Sequence, residues 1–207
     1  MTGISSEIKE IYWRAFRKKA HQLLAIGFRA VRCKIGPNDI EDDITGTIEE
    51  AINEFLDDSC DPLFIGFDVH GFPRQHGTGK RGKRRPEIDL TIKDNSNRPS
   101  SIFAFEAKRL RTSDHPIGAY VGPQGMGCFT SDIYAPEAPE AAMVGYIQNK
   151  DHAYWFSELS RTLTEEVVRF PVIPEIQNEW ASQHERLTGS PVRIHHIFLD
   201  CSLQDRT

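Results

Sequence analysis

Apolar residues recur at helical spacing in the first quarter of the chain and predict two helices. The first covers residues 5–28. The second runs over 39–56, where Asn38 is placed to act as the N-cap and Glu41, three residues later, completes the pattern of a capping box. Each predicted helix carries one apolar stripe, so both are expected to pack against a common layer.

The middle and the end of the chain carry short apolar runs that are typical of strands. Three of them, at 63–69, 87–93 and 101–109, follow one another closely. The segment 95–99 between the last two has the composition of a hairpin turn. Residues 192–200 predict a final strand. The first three strands are therefore expected to form an antiparallel meander.

The region between the meander and the last strand is predicted to be mainly helical. A glycine-containing loop at 118–139 is expected to be followed by a helix over 140–159, with further helical pattern at 161–169 and 174–187. The predicted order is an extra N-terminal helix, a helix, three strands, further helices and a strand. This order indicates a mixed α/β fold.

Composition narrows the class of protein without indicating an activity. The 207 residues fit one domain, with an N-terminal helical extension at 1–37 and a core at 38–207. The net charge of −5 argues against a general polyanion binder. No run is long and apolar enough for a membrane span, and the first residues lack the pattern of a signal peptide, so we expect a cytoplasmic protein. The cysteines are scattered, which fits buried thiols rather than a metal cluster: Cys33, Cys60, Cys128 and Cys201.

Candidate chemistry lies on the second and third predicted strands. Glu106 and Lys108 are two residues apart and therefore share one face of their strand. If the preceding strand is an antiparallel neighbour, Asp89 can lie across from Glu106. Two carboxylates suit Mg²⁺, and a nearby ammonium can orient a water or stabilise charge on a phosphate. The alternative is a hairpin with one wet face, because an E-x-K triplet occurs by chance roughly once in a chain of this size.

The acidic residue before the turn and the Glu106-Ala107-Lys108 triplet after it resemble the PD-(D/E)XK nuclease superfamily, which has the restriction-endonuclease-like fold. The resemblance covers residues 39–200 and includes the order of the predicted elements. It implies a Mg²⁺- or Mn²⁺-dependent nuclease in which Asp89 and Glu106 bind the metal and Lys108 positions the water. DNA is implied as a substrate more than RNA, with a role in prokaryotic defence, restriction or repair.

The sequence departs from the family pattern in two places. The proline that the family places next to its acidic residue is here Pro86, and Glu87 shares the face of Asp89, so Glu87 is a rival metal ligand. The Q-x-x-x-Y pattern of one branch is missing, because His152 stands four residues after Gln148. Gln148, Lys150 and His152 at the start of the predicted helix could reach a phosphate, but we expect them to lie on a solvated helix face.

The family often adds an acidic residue from the first core helix, and Glu41 is the candidate here. At 100° per residue Glu41 lies about 40° from the centre of the apolar stripe, whereas Glu49 and Glu50 fall well outside it. Glu41 is thus the acid of this helix that can face the sheet and assist catalysis. The alternative is that it only completes the capping box with Asn38.

A glycine-rich basic loop enters the strand that carries Asp89 and has a phosphate backbone as its natural partner. Its cations are Lys80, Arg81, Lys83, Arg84 and Arg85. A solvated loop is the alternative, and the glycine spacing does not match a P-loop. On the last strand, either His195 or His196 must point inward, and we expect a hydrogen-bonded core histidine rather than a metal ligand.

Two other functions stay open at this stage. The chain could be a nucleic-acid-binding module on the same fold that is inactive alone and works as a homodimer or with a partner subunit. It could also be an interaction protein with no nucleic-acid role. Metal binding without cleavage of any substrate would favour the first, and the absence of salt-dependent DNA binding would favour the second.

Overall fold

A computed structural model describes residues 6–59, 61–73, 87–96 and 100–202. The longer helices and all the strands in these ranges are, in chain order, α1 (Ser6–Val31), α2 (Glu41–Asp58), β1 (Phe67–Gly71), β2 (Leu90–Asp94), β3 (Ser101–Leu110), α3 (Ile117–Val121), α4 (Gly127–Thr130), β4 (Glu140–Ile147), α5 (His152–Thr162), β5 (Val168–Arg169), β6 (Glu179–Glu185) and β7 (Pro191–Asp200). The chain is therefore a mixed α/β protein, as the sequence predicts at the level of fold class.

All seven strands belong to one mixed sheet in the order β1-β2-β3-β4-β7-β6-β5. The first three form an antiparallel meander, as expected from the sequence. Strands β3, β4 and β7 run parallel to one another in the centre of the sheet. Strands β6 and β5 then add antiparallel pairs at the far side. The parallel centre requires crossovers, and the first of them, from β3 to β4, contains the short helices α3 and α4.

Helices α1 and α2 cover one face of the sheet. Buried residues at a spacing of four on α2, Ile44, Ile48 and Ile52, pack into a core shared with Phe103 and Phe105 of β3. The two helices cross closely because Gly27 of α1 faces α2, where an added Cβ would lie 2.9 Å from the carbonyl oxygen of Ile48. This layer brings the beginning of α2 to the end of β3.

The second face of the sheet is covered by α3, α4 and α5. Its core contains the large buried side chains Tyr120, Phe129 and Trp155. Since both faces are covered, all eight residues of β4 are buried. Any polar group on the central strands is therefore removed from bulk water unless it lies at a strand end.

The helix predicted over 140–159 is wrong in its first half. Residues 140–147 form β4, a turn follows, and α5 begins at His152, where the side chain of Asp151 accepts a hydrogen bond from the backbone N–H of Tyr154. The run of seven residues without a polar break at 141–147 does not distinguish a buried strand from a buried helix by periodicity. The length of the run and its Val-Gly-Tyr-Ile end fit a central strand.

The helical segments predicted at 161–169 and 174–187 are also wrong, except for the end of α5. Residues Val168–Arg169 form β5 and Glu179–Glu185 form β6. In β6, Trp180, Ala181 and His184 are spaced as on a helix face, and this spacing favours a helix. Seven paired residues between β6 and β7 override this local pattern.

Smaller differences concern element boundaries and cysteines. The strand predicted at 63–69 begins only at Phe67, because a 3-10 turn occupies Pro62–Phe64 and Gly66 has φ +84°. Cys128 and Cys201 are buried as expected, but Cys33 is exposed, and Cys60 lies outside the described residues.

Both histidines of β7 are buried, although only one was expected to point inward. His195 faces α1 and meets two carboxylates, whereas His196 faces α3, with its ring nitrogens 3.1 Å from Tyr120 Oη and 2.7 Å from Ser182 Oγ. Burial lowers the pKa of His196 to about 3. Both side chains are enclosed because β7 is a central strand with both faces covered.

In the described part of the chain, no helix combines the length and the apolar character needed to cross a bilayer.

Candidate active site

The site forms where β2 ends while β3 continues. The register pairs Leu90 with Phe105, and β3 extends five residues further to Leu110. Asp89, directly before β2, accepts a hydrogen bond at Oδ2 from the backbone N–H of Ala107 at 2.7 Å. Glu41 accepts one at Oε2 from the N–H of Arg109 at 2.9 Å. Two carboxylates thus occupy the edge of β3 that β2 has left.

Glu41 is the first residue of α2, and this position explains its orientation. The N-cap residue is Ile40, whose side chain makes no capping hydrogen bond, so the predicted capping box with Asn38 is wrong. The carboxylate of Glu41 points to β3 instead. This contact confirms that Glu41 faces the sheet, but the exclusion of Glu49 is wrong, because its carboxylate lies against Gly71 of β1.

Lys108 joins the acidic groups into one cluster. Its Nζ lies 2.9 Å from Glu41 Oε1, 2.9 Å from Glu106 Oε1 and 3.7 Å from Asp89 Oδ2. It also donates to the carbonyl oxygen of Ala107 at 2.6 Å. All four residues predicted from sequence to form the catalytic group therefore meet around a single ammonium.

One oxygen of the cluster has no partner. Glu106 Oε2 is buried and accepts no hydrogen bond from the described residues. An unsatisfied buried carboxylate oxygen is costly, typically by about 1–3 kcal/mol or more when the group is charged. Such an atom is expected where a ligand completes the site.

The pKa values in the cluster are shifted because its acidic groups lie close together and are largely buried. Burial raises the pKa of Asp89 to about 6, although Lys108 and the Ala107 N–H favour its charged form. Burial, together with the charge on Asp89, raises the pKa of Glu106 to about 8. Burial alone would lower the pKa of Lys108, but the carboxylates of Glu106, Asp89 and Glu41 outweigh it and raise that pKa above its usual value. Lys108 is therefore a permanent cation at neutral pH.

The residues present fit a divalent metal ion. Asp89 and Glu106 supply carboxylate oxygens of the kind that Mg²⁺ and Mn²⁺ prefer. Glu106 Oε2 is the unpartnered acceptor, and both acids have raised pKa values that a nearby dication would lower. The donor set alone does not distinguish Mg²⁺ from Mn²⁺.

The rival residue Glu87 is placed differently from Asp89. Glu87 is exposed, and its backbone carbonyl accepts a hydrogen bond from Tyr134. The side chain of Asp89 is only 13% exposed and lies beside Lys108. The geometry therefore favours Asp89 over Glu87 as the acid that acts with Glu106.

Residues of the α4 region complete the surroundings and were not predicted individually. Tyr134 and Cys128 lie close enough to Glu106 that, after burial, its charge contributes to raising the pKa of each. The sequence offered only the composition of the loop at 118–139 as a signal. No pattern singled out these two side chains.

Gln148 also differs from its prediction. It is buried at the end of β4, rather than solvated on a helix, and its Nε2 donates to the carbonyl oxygen of Asp39 at 2.6 Å. This contact fixes the backbone at Asp39, two positions before Glu41. His152 is half-buried as the first residue of α5.

The predicted nucleic-acid contacts cannot be compared with this geometry. The basic loop with Lys80, Arg81, Lys83, Arg84 and Arg85 lies outside the described residues, so its role stays a prediction. Glu87, two residues before Asp89, is the first described residue after this loop.

Comparison with known proteins finds no matching family model, no matching curated protein and no matching solved structure.

Proposed function

We propose that this protein is a metal-dependent nuclease with a restriction-endonuclease-like core, which hydrolyses phosphodiester bonds of DNA. The observation that carries the proposal is the contact of Lys108 Nζ with Glu41, Glu106 and Asp89, beside a buried carboxylate oxygen that has no partner. A purely structural hairpin would leave such charged groups in water, or would pair them completely.

The arrangement of elements supports the same function. Helix α2, the antiparallel meander β1–β3, a crossover with two short helices and the parallel strand β4 follow in the order implied by the resemblance. The crossover helices come from residues 117–130, and not from the helix predicted over 140–159, whose first half is β4. Asp89 directly precedes the second strand of this meander and Glu106 lies on the third, which supports the placement that the resemblance implies.

Each residue has a distinct role in the proposed reaction. Asp89 and Glu106 would hold Mg²⁺ or Mn²⁺, which when bound polarises the phosphate and lowers the pKa of water. Lys108 orients the attacking water and stabilises negative charge on the phosphoryl oxygens, since its raised pKa makes it a poor base. Glu41 fixes Lys108 and the edge of β3 through its two oxygens. It would assist the reaction through these contacts.

The test compares cleavage by the wild type, Lys108→Ala and a matched control. Lys93→Ala serves as the control, because Lys93 lies on β2 opposite Ile102, away from the cluster. Single- and double-stranded DNA and RNA are incubated with Mg²⁺ or Mn²⁺, with and without chelator. We expect metal-dependent cleavage that Lys108→Ala reduces by at least about 100-fold and Lys93→Ala leaves unchanged. Equal activity of wild type and Lys108→Ala would overturn the proposal.

Metal binding without cleavage of any of these substrates would instead indicate the alternative, a nucleic-acid-binding module that needs a partner subunit or a second copy. Calorimetric titration of Mg²⁺ and Mn²⁺ into the wild type and Asp89→Asn separates this outcome from a chain that binds no metal.

A further inference from the structure

A second polar cluster lies between α1 and the sheet, on the face opposite to Glu106. It consists of His21 on α1, Glu179 on β6 and His195 on β7, whose side chains are all 0% exposed. His21 Nε2 and His195 Nδ1 lie 3.0 Å and 2.8 Å from the same atom, Glu179 Oε1. These three potential ligand atoms lie within 4.8 Å of one another.

The far nitrogen of each ring also faces an acceptor. His21 Nδ1 lies 2.9 Å from the carbonyl oxygen of Arg17, and His195 Nε2 lies 3.1 Å from Glu140 Oε2. Carbonyl and carboxylate oxygens only accept hydrogen bonds, so both far nitrogens carry protons. Without a metal ion, both near nitrogens can meet Glu179 Oε1 only if both rings are imidazolium ions, or if one ring is an imidazolium ion and Glu179 is protonated. Either is a costly way to bury charge.

A metal ion resolves the same geometry with neutral histidines. Histidine ligands in metal sites usually donate their second N–H to a backbone carbonyl or a carboxylate, which fixes the tautomer and the orientation of the ring. His21 and His195 show one case of each. The remaining oxygen of Glu179 accepts a hydrogen bond from the backbone N–H of Val172 at 2.9 Å. All three ligands are thus fixed from behind, and one dication would replace two protons without changing the net charge.

We propose that His21, Glu179 and His195 bind one divalent transition-metal ion, for which zinc is the best fit, and that the ion joins α1 to β6 and β7. Zinc takes imidazole and carboxylate ligands at about 2.0–2.2 Å. Tetrahedral geometry at these lengths separates ligand atoms by about 3.3–3.5 Å. The contacts at 2.8 Å and 3.0 Å would therefore open by about half an ångström.

The surroundings give the site a structural role, distinct from the proposed nuclease site. The rings of Phe103, Phe105 and Phe170 lie against the two histidines, so no substrate can reach the ion. The fourth position is left for a water molecule. A cavity of about 630 Å³ is lined by Arg17 and by Glu140, whose carboxylate contacts His195.

The first experiment uses the unaltered protein. Zinc content is measured by mass spectrometry after purification, and the protein is then stripped with a chelator and titrated with Zn²⁺ alone. We expect one equivalent of tightly bound zinc and a Tm that falls by several degrees on removal and recovers on addition. Co²⁺ in place of Zn²⁺ should give the absorption bands of a tetrahedral site. A stripped protein whose Tm does not respond to Zn²⁺ or Co²⁺ overturns the proposal.

Variants locate the ion. His21→Gln and His195→Gln should weaken Zn²⁺ binding by more than about 100-fold, whereas the control His152→Gln should not change it. Glu140→Gln alters a positioning residue, so it should weaken binding by about 10- to 100-fold at unchanged stoichiometry. The double variant Asp89→Asn/Glu106→Gln should retain the zinc, which separates this site from the nuclease site. Zinc that is lost in the double variant and retained in both histidine variants would place the ion elsewhere and overturn the proposal.

Discussion

The substitution Glu106→Gln should make the protein more stable at alkaline pH, although it removes a residue from the centre of the fold. Burial and the charge on Asp89 raise the pKa of Glu106 from 4.5 to about 8. Between these two values the folded state binds more protons than the unfolded state, so stability falls as pH rises. Glutamine has nearly the same shape, can still accept from Lys108 Nζ and never ionises.

The magnitude follows from the same shift. At 1.36 kcal/mol per pKa unit, ionising Glu106 in the folded protein costs about 5 kcal/mol. Asp89 and Lys108 stay in place in the variant, and their own charges keep part of this free-energy cost. We therefore expect Glu106→Gln to be more stable than the wild type by about 2–4 kcal/mol at pH 9. Below pH 4.5 the carboxyl is protonated in both states, and the two proteins should differ by less than about 1 kcal/mol.

The assay is urea denaturation of both proteins across about pH 4 to 9 in metal-depleted buffer, with Glu50→Gln, on the exposed face of α2, as the control. Saturating Mg²⁺ should raise the stability of the wild type at pH 8 and leave Glu106→Gln nearly unchanged, because the ion replaces the proton on Glu106. A stability difference that is independent of pH, or a variant that is less stable at pH 9, would refute this account of the site.

Three further predictions test other parts of the structure. Glu41→Gln should lower metal-dependent cleavage by about 10- to 100-fold in a steady-state assay, because Glu41 contacts Lys108. Glu50→Gln should leave cleavage unchanged, because Glu50 lies on the exposed face of the same helix. Neutralising the five cations at 80–85 should weaken DNA binding and flatten its salt dependence in fluorescence anisotropy, and an unaltered slope would argue against a backbone-binding loop. The matched control neutralises five exposed cations elsewhere: Lys9, Lys18, Arg29, Lys34 and Arg161. Gly27→Ala should destabilise the fold by about 1–3 kcal/mol in the same urea assay, because its Cβ would lie 2.9 Å from the Ile48 carbonyl oxygen, and wild-type stability would contradict that close crossing.

The candidate site was predictable because its residues follow local rules. Alternation along a strand places Glu106 and Lys108 on one face, and the short connection between β2 and β3 fixes the register that brings Asp89 beside them. The position of Glu41 on the wheel of α2 directs it to the same sheet. The sequence does not predict that β3 continues beyond the end of β2. At this edge the N–H groups of Ala107 and Arg109 fix the two carboxylates.

The second half of the sheet was not predictable for the opposite reason. Strand β4 reads as an apolar run that fits either type of element, and the buried residues Trp180, Ala181 and His184 of β6 are spaced as on a helix face. Strand β4 is fixed by its parallel pairing with β3 and with β7, whose partner residues lie 53 positions further along the chain, and β6 by its antiparallel pairing with β7. Propensity is a weak guide where such non-local pairing decides the outcome.

The His21, Glu179 and His195 cluster shows where the limit lies. Its members come from three elements, and 158 residues separate His21 from Glu179 along the chain. No motif of fixed spacing connects them, and as single residues each is more simply explained as part of the core. The pairing of β7 with β4 on one side and with β6 on the other brings Glu140 and Glu179 to opposite nitrogens of His195. The acids at Lys108 can be inferred from one hairpin and one helix, whereas this cluster requires the whole order of the sheet.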